Sequence, residues 1–360
     1  MDNIFANQCI VVTGAAGTVG QELVSQLLTF GPAEIRALDN NESALFLMNE
    51  DYRSRSDFNA YLGDIRDAPK MGSLARGVDM IFHCAAFKHV FFSEYNPFEA
   101  VRTNIIGVQN IIQAALGNGV KKVIFTSSDK AVNPTTVMGT SKLMGERLIT
   151  AANVINQNAR QQFSSVRFGN VMGSRGSVIP IFHDQIKKGG PVTVTDPGMT
   201  RFIMTIARAA ELVLKGALLA RGGEVMVTKM RVISIMDLAE VMIELLAPYY
   251  GHSPASVALE FIGAKPGEKM YEELMTPDEV PRSLELADMF VVLPAARGIY
   301  RNIDYSYPGD TGKRANRPYI SSEEPAMSKK EVRDFLISSR LLPPELLPES
   351  RKMEPVPCVS

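Results

Sequence analysis

Over roughly the first 170 positions, short apolar runs alternate with longer stretches whose apolar residues recur every three or four places. CIVVTG (9–14), EIRALD (34–39), NAYLGD (59–64), MIFHCAA (80–86), KVIFTSS (122–128) and FSSVRFG (163–169) read as strands. Several are almost continuously apolar, the pattern of strands covered on both faces of a parallel sheet. The stretches 19–30, 41–51, 97–117 and 137–157 read as helices between them. Strict alternation of strand and helix implies βαβ units, and therefore an α/β fold with a doubly wound parallel sheet. Beyond residue 170 the rhythm changes. Gly and Pro gather at 173–198, amphipathic segments follow at 205–220 and 234–248, then VALEFIG (257–263) and a polar stretch at 297–325. The chain is thus expected to divide into a sheet domain at 1–170 and a smaller C-terminal lobe at 171–342 that partly returns to the main sheet. A disordered tail is expected at 343–360, where five prolines fall.

Composition narrows the possibilities. The 360 residues are 46% apolar and 21% charged, enough to bury a large core, and the formal net charge is −1. That balance argues against a nucleic-acid partner. Three scattered cysteines (Cys9, Cys84, Cys358) make neither a disulfide framework nor a zinc site, and the four histidines lack ligand spacing, so no metal is expected. The longest apolar stretch, Phe202 to Ala220, is interrupted by Arg208, Glu211 and Lys215, and MDNIFANQ is no signal peptide. The expectation is a cytoplasmic protein without a membrane span.

The first candidate chemistry follows the first strand. In TGAAGTVG, Gly14, Gly17 and Gly20 open a helix at Thr18 and Val19. Glycines there permit a tight turn and let backbone N–H groups approach a pyrophosphate at the helix N-terminus. Asp39 closes the second strand, placed to accept hydrogen bonds from an adenosine ribose and to repel a 2′-phosphate, which favours NAD over NADP. Asp64 and Ile65, after the third strand, suit the adenine edge; Ala85 and Ala86, after the fourth, are small enough to lie against a ribose. The fifth strand ends in SSDKAVNPTTVMGTSK, at the sheet edge where ligands bind in this architecture. There Asp129 and Lys130 are adjacent, and Met138 and Lys142 share one helical face. A plain salt bridge is the alternative reading of the Asp129–Lys130 pair. His83, within a strand, reads as a packed histidine.

TGAAGTVG, IFHCAAFKHV, Asn104 in TNIIG and the helical Lys142 resemble the extended short-chain dehydrogenase/reductase superfamily. More narrowly, SSDKA, VRFGNVMGSRGSVIP, TDPGMTRFIMT and KPGEKMYEEL resemble the UDP-N-acetylglucosamine 4,6-dehydratases of bacterial surface-glycan biosynthesis, over about residues 7 to 295. Met138 stands where the superfamily usually has tyrosine. It cannot serve as a proton base, but it resembles a branch of these dehydratases with Met in that place. Ser128 replaces the family's usual threonine and keeps the hydroxyl.

The resemblance implies a Rossmann-type NAD-binding domain with Asn104 and Lys142 beside the cofactor, and UDP-N-acetylglucosamine as substrate. It implies removal of hydride from C4, loss of the C5 proton and the O6 hydroxyl, and return of hydride to C6. Lys130 is the candidate C5 base and Asp129 the candidate O6 acid, the first neutral and the second protonated at that step. The O4 proton could leave through Ser128 and a water or to Asp129 acting twice. Asn170, Arg175, Ser177, Val178 and Arg201 are candidates for the diphosphate side, Glu268 for the uridine ribose, and Lys88 and Glu94 for the sugar. Retention at C5 is favoured; a C5-inverting dehydratase, a nucleotide-sugar 4-epimerase and a non-catalytic cofactor-binding protein are the alternatives. Family resemblance further implies a homo-oligomer, dimer or larger, formed through 97–117 and 137–157.

Overall fold

The computed structural model describes residues 3–155, 161–174, 177–263, 267–296, 299–300 and 303–347. Six parallel strands follow the apolar runs closely: β1 Cys9–Thr13, β2 Glu34–Asp39, β3 Phe58–Leu62, β4 Met80–His83, β5 Lys122–Ser128 and β6 Gln162–Phe168. β1 pairs with both β2 and β4, so the strand order reverses there. From β4 the sheet continues through β5 and β6 to Val225–Thr228, still parallel, and ends in Met289–Val292 and Ser283–Glu285, which pair antiparallel. The nine-stranded sheet therefore confirms the α/β doubly wound expectation and adds an antiparallel edge not foreseen from the pattern.

The helices of this unit include α1 Thr18–Thr29, α2 Glu42–Tyr52, α3 Ala68–Leu74, α4 Val90–Tyr95, α5 Pro97–Val101, α6 Gly107–Asn118 and α7 Val137–Ile155. Val11, Ile81, Val123 and Phe125 of the strands bury against Ile111 of α6 and Ile149 of α7. The helix read over 97–117 is divided by one π-helical turn, Arg102–Ile106, between α5 and α6. Such turns insert an extra residue and recur at functional positions. Here Asn104, in the turn, is 1% exposed.

The chain forms two compact units. One comprises Met1–Gly169, Ile206–Met230 and Glu272–Ile320; the other comprises Asn170–Thr205, Arg231–Tyr271 and Ser321–Ser360. The first is tied together by Arg167 of β6, which is 1% exposed. Its guanidinium donates to Glu146 of α7 at 2.9 and 2.7 Å, to Glu279 at 3.0 and 3.1 Å, and to the Leu274 carbonyl. Burial opposes its charge, but the two carboxylates more than offset that and raise the Arg167 guanidinium above its ordinary value.

The second unit has a three-stranded sheet (Asn170–Val171, Thr200–Met204, Arg231–Ser234) and a two-stranded one (Val192–Val194, Leu259–Phe261). Helices Val178–Lys187, Ile235–Tyr249 and Lys329–Ser338 close a core around Phe182, Leu238, Val332 and Leu336. Of the expected tail, Leu346 and Leu347 lie against this core, and 348–360 fall outside the described residues.

Candidate active site

Gly14 adopts φ +67, and a Cβ there would lie 2.7 Å from the Ala85 nitrogen; at Gly20 a Cβ would lie 2.1 Å from the Gly14 carbonyl oxygen. The turn between β1 and α1 is therefore pressed against the end of β4, at the strand-order reversal, and only glycine fits both places. Gly17 is the N-cap residue of α1 with no side chain to satisfy its first N–H groups, and Thr18, Val19 and Gly20 form the first turn. Asp39 already serves the turn: Oδ2 accepts from the Ala16 N–H at 3.0 Å and Oδ1 from the Asn41 N–H at 2.9 Å. Asp64 is paired with Arg66 at 2.6 Å, which holds its carboxyl below the usual range. Ile65 is buried, its side chain filling the space a Cβ on Gly107 would need. Ala85 and Ala86 are half-buried at the end of β4.

Asn104 acts through what it holds. Its amide accepts from the Phe87 N–H and donates to the Phe87 carbonyl and the Ser141 hydroxyl, at 2.8, 2.9 and 2.8 Å. It pins the loop after β4 to α7, one residue from Lys142. Glu94 is likewise committed elsewhere than expected: Oε1 accepts from the Val137 N–H at 2.8 Å, satisfying a first-turn donor of α7. Lys88 is exposed on the loop after β4.

The Ser128 hydroxyl caps the short 3₁₀ turn Asp129–Ala131, accepting from the Lys130 N–H and donating to Asp129 Oδ1 at 2.5 Å. Lys130 Nζ lies 3.0 and 3.2 Å from the two Asp129 oxygens. Asp129 is 4% exposed. Burial pushes its carboxyl up, but Lys130 and these hydrogen bonds outweigh burial and hold it below the usual carboxylate range. These partners favour the carboxylate, so Asp129 must gain a proton before it can act as the expected O6 acid.

Met138 is buried on α7, and a Cβ on neighbouring Gly139 would lie 2.3 Å from the Lys130 carbonyl oxygen, so α7 is pressed against the Asp129–Lys130 turn. Lys142 is also buried. Nζ donates to the Thr126 carbonyl at 2.8 Å and lies 4.3 Å from the centre of the Phe125 ring, and burial pushes its ammonium down to about 8. His83 is packed as expected: Nδ1 lies 2.6 Å from Thr13 Oγ1, the ring stacks on Phe125, and burial followed by the Lys142 charge lowers it to about 3. Burial pushes the Cys84 thiol up to about 12, so it is not a thiolate at neutral pH.

Apart from Lys88 and Glu94, the residues expected on the substrate side lie in the second unit, where several engage one another. The Arg201 guanidinium donates to the carbonyls of Thr200, Lys269 and Met270 and lies 3.7 Å from Glu268. Asn170 donates to the Phe202 carbonyl. Ser177 precedes the helix begun by Val178, its hydroxyl buried with no hydrogen-bond partner among the described residues. Arg175 lies outside the described residues. Sequence reading missed Glu272, a buried carboxyl 4.0 Å from Lys130 Nζ; only its place in the string YEEL hinted at it. Among the described residues there is no cluster of metal-ligating side chains, and no helix is long and apolar enough to cross a membrane.

Residues 10–294 match the family of polysaccharide biosynthesis proteins. The chain belongs to this family. It is 46% identical to an uncharacterized membrane protein of Methanocaldococcus jannaschii, over 93% of this chain and 97% of that one. It is 42% identical to a capsular polysaccharide biosynthesis protein of Staphylococcus aureus, but spans only 46% of that relative. At 34% and 33% identity, with over 90% of both chains covered, it is similar to an inverting UDP-N-acetylglucosamine 4,6-dehydratase of Campylobacter jejuni and a UDP-glucose 4-epimerase of Rickettsia typhi. The solved structure of Pen from Bacillus thuringiensis is similar with 44% identity and TM-score 0.84, over 93% of this chain and 98% of Pen.

Proposed function

We propose that this protein is an NAD-dependent UDP-N-acetylglucosamine 4,6-dehydratase. The observation that carries the reading is the Asp129–Lys130 pair on the turn after β5, since elimination across C5 and C6 needs an acid and a base that oxidation at C4 alone does not. The glycine cradle fits the cofactor: it leaves no room for a side chain at 14 or 20, and it aims the first N–H groups of α1 outward. Gly14, Gly17 and the first turn of α1 hold the pyrophosphate, Asp39 and the 64–65 segment the adenosine, and Lys142 the nicotinamide ribose. Bound there, NAD supplies a hydride acceptor for C4 that returns the hydride at C6.

The chain's own groups move the protons. Asp129, resting as a carboxylate, takes the O4 proton by way of Ser128, whose hydroxyl already donates to it. Neutralising Asp129 removes the charge paired with Lys130, whose side chain is 36% exposed and can release its proton to water. Neutral Lys130 then removes the C5 proton, and Asp129 returns its proton to the departing O6 hydroxyl, which leaves as water. Lys130 gives the proton back to C5 from the same face, which retains the configuration, and then regains its own proton from water beside the re-formed Asp129 carboxylate. The test is proton NMR with UDP-N-acetylglucosamine in deuterated water. A new C6 methyl signal with a coupling pattern for retention is expected. An opposite coupling makes the enzyme inverting, UDP-N-acetylgalactosamine without methyl makes it an epimerase, and no turnover with added NAD defeats the enzymatic reading.

The protein acts as a homo-oligomer in this reading. Phe91, Phe92, Tyr95 and Phe98 stand exposed on α4 and α5, more aromatic surface than a monomer ordinarily shows. Light scattering after size exclusion is expected to give at least a dimer, and Phe98→Lys to weaken it; a monomeric wild type would remove the proposal.

A further inference from the structure

Lys142 is a buried cation that takes no part in the proton transfers, and buried charges are ordinarily paired with an opposite one. Here the pairing is of another kind. The one acid of α7, Glu146, stands four residues on and spends both oxygens on Arg167. The Cys84 thiol, pushed up by burial to about 12, and His83, lowered by burial to about 3, are both neutral. The Lys142 ammonium donates to the Thr126 carbonyl at 2.8 Å and otherwise meets the Phe125 ring, whose centre is 4.3 Å from Nζ. A ring face attracts a cation out to about 6 Å, most strongly where water is excluded. Phe125 is 1% exposed and closely held. A Cβ on Gly145 would lie 2.9 Å from its Cζ, so the ring reaches under α7 where the helix carries no side chain, and His83 stacks on it. We propose that Phe125 is a positioning residue whose ring face holds the Lys142 ammonium charged and in place without a carboxylate to neutralise it.

The inference rests on the reading that Lys142 serves the nicotinamide ribose, and deepens it. A carboxylate in place of the ring would take up the ammonium's donors and cancel its field. A ring attracts the cation, accepts no proton from it, and leaves its charge uncancelled and N–H groups for a ligand. An uncancelled positive charge there disfavours the cationic, oxidised nicotinamide relative to the neutral, reduced one, and so aids removal of hydride from C4.

The experiment places phenylalanines of increasing ring fluorination at position 125 alone, in the full chain, beside either Lys142 or Lys142→Met. Fluorine drains the negative face of the ring and changes its size little. Urea unfolding without added NAD reads the pairing directly: each fluorine should cost more stability beside Lys142 than beside Lys142→Met. Equal costs in both backgrounds would make the ring a packing element only and overturn the proposal. With Lys142 present, the dissociation constant for NAD should rise in step with fluorination, to roughly 10-fold. That rise should shrink as pH is lowered from about 8.5 to about 6.5, because a buried lysine deprived of the ring gives up its proton more readily and acid restores it. A rise of the same size at every pH would overturn the role in holding the charge. A clear coupling in unfolding with NAD affinity unmoved would uphold the pairing and take Lys142 away from the ribose, so the two readings fail separately. If wild type makes no methyl product, the dehydratase reading falls and both measurements still decide this one.

Discussion

Among the described residues of the first unit, the Arg167 and Lys130 clusters each set one cation between two buried carboxyl groups, and they differ in the cation, the spacing and the access to water. Around Arg167, both Glu146 and Glu279 form paired bonds at 2.7 to 3.1 Å, and all three side chains are sealed from water. Around Lys130, one carboxyl bonds at 3.0 Å, the second lies at 4.0 Å, and the cation is 36% exposed. A guanidinium cannot lose its proton in a protein, and its planar fork matches carboxylates edge to edge; an ammonium can lose one and makes looser pairs. The difference teaches that two clusters of like ionic composition need not be alike: only the Lys130 ammonium is able to discharge, and only it reaches water.

The sharpest way to break the contrast is Arg167→Met, which strands two buried carboxylates. We expect a loss of about 3–5 kcal/mol in denaturant unfolding; a loss comparable to a surface substitution would deny that the closed cluster holds the unit together. Lys130→Arg should do the reverse. It keeps the charge but removes the dissociable proton, so methyl formation should fall by about 10²–10⁴-fold, with the melting temperature nearly unchanged. Turnover close to wild type would end the role of Lys130 as base.

Acid separates the groups further. His83, lowered from 6.5 to about 3, binds a proton more readily unfolded than folded, so stability should decline as pH falls below about 6.5. Asp129 and Glu279, both depressed, add to the decline as pH falls through and below the carboxylate range; Glu224, raised by burial, opposes it there. His83→Gln should remove the part that begins near 6.5, and an unchanged unfolding curve against pH would refute the assignment. The smallest effect belongs to Met138→Leu. A volume-conserving change should cost under about 1.5 kcal/mol and leave turnover within a few-fold, because the thioether moves no proton. A large loss in kcat would make Met138 a participant in the chemistry.

The sheet was legible wherever a strand is buried on both faces, since two-sided burial demands near-continuous apolar runs such as CIVVTG and KVIFTSS. Short helices were not: Ala68–Leu74 and Val90–Tyr95 are too brief for a periodic signal. The edge strands at 283–285 and 289–292 lie in a stretch without alternation and take their conformation from pairing with Val225–Thr228 and each other. In the site, adjacency revealed Asp129–Lys130 and helical spacing revealed Met138–Lys142. Glu272 carried no spacing to either, because tertiary return alone brings it there. Arg201 and Glu268 illustrate the opposite limit: their residue types suit an anion and a ribose, and the fold sets them within 3.7 Å of each other.

The interleaving of the two units has a consequence for the order in which the protein can be made. Arg167 precedes its partner Glu279 by 112 positions, and all of Arg231–Tyr271, a segment of the other unit, is translated in between. While the ribosome works through that stretch, the nascent sheet carries a guanidinium with only half its counter-charge and an Asp129–Lys130 turn without its second carboxyl. The amino-terminal unit therefore reaches its finished state late in translation, and a polypeptide cut after Gly169 is a fragment of a domain rather than a domain.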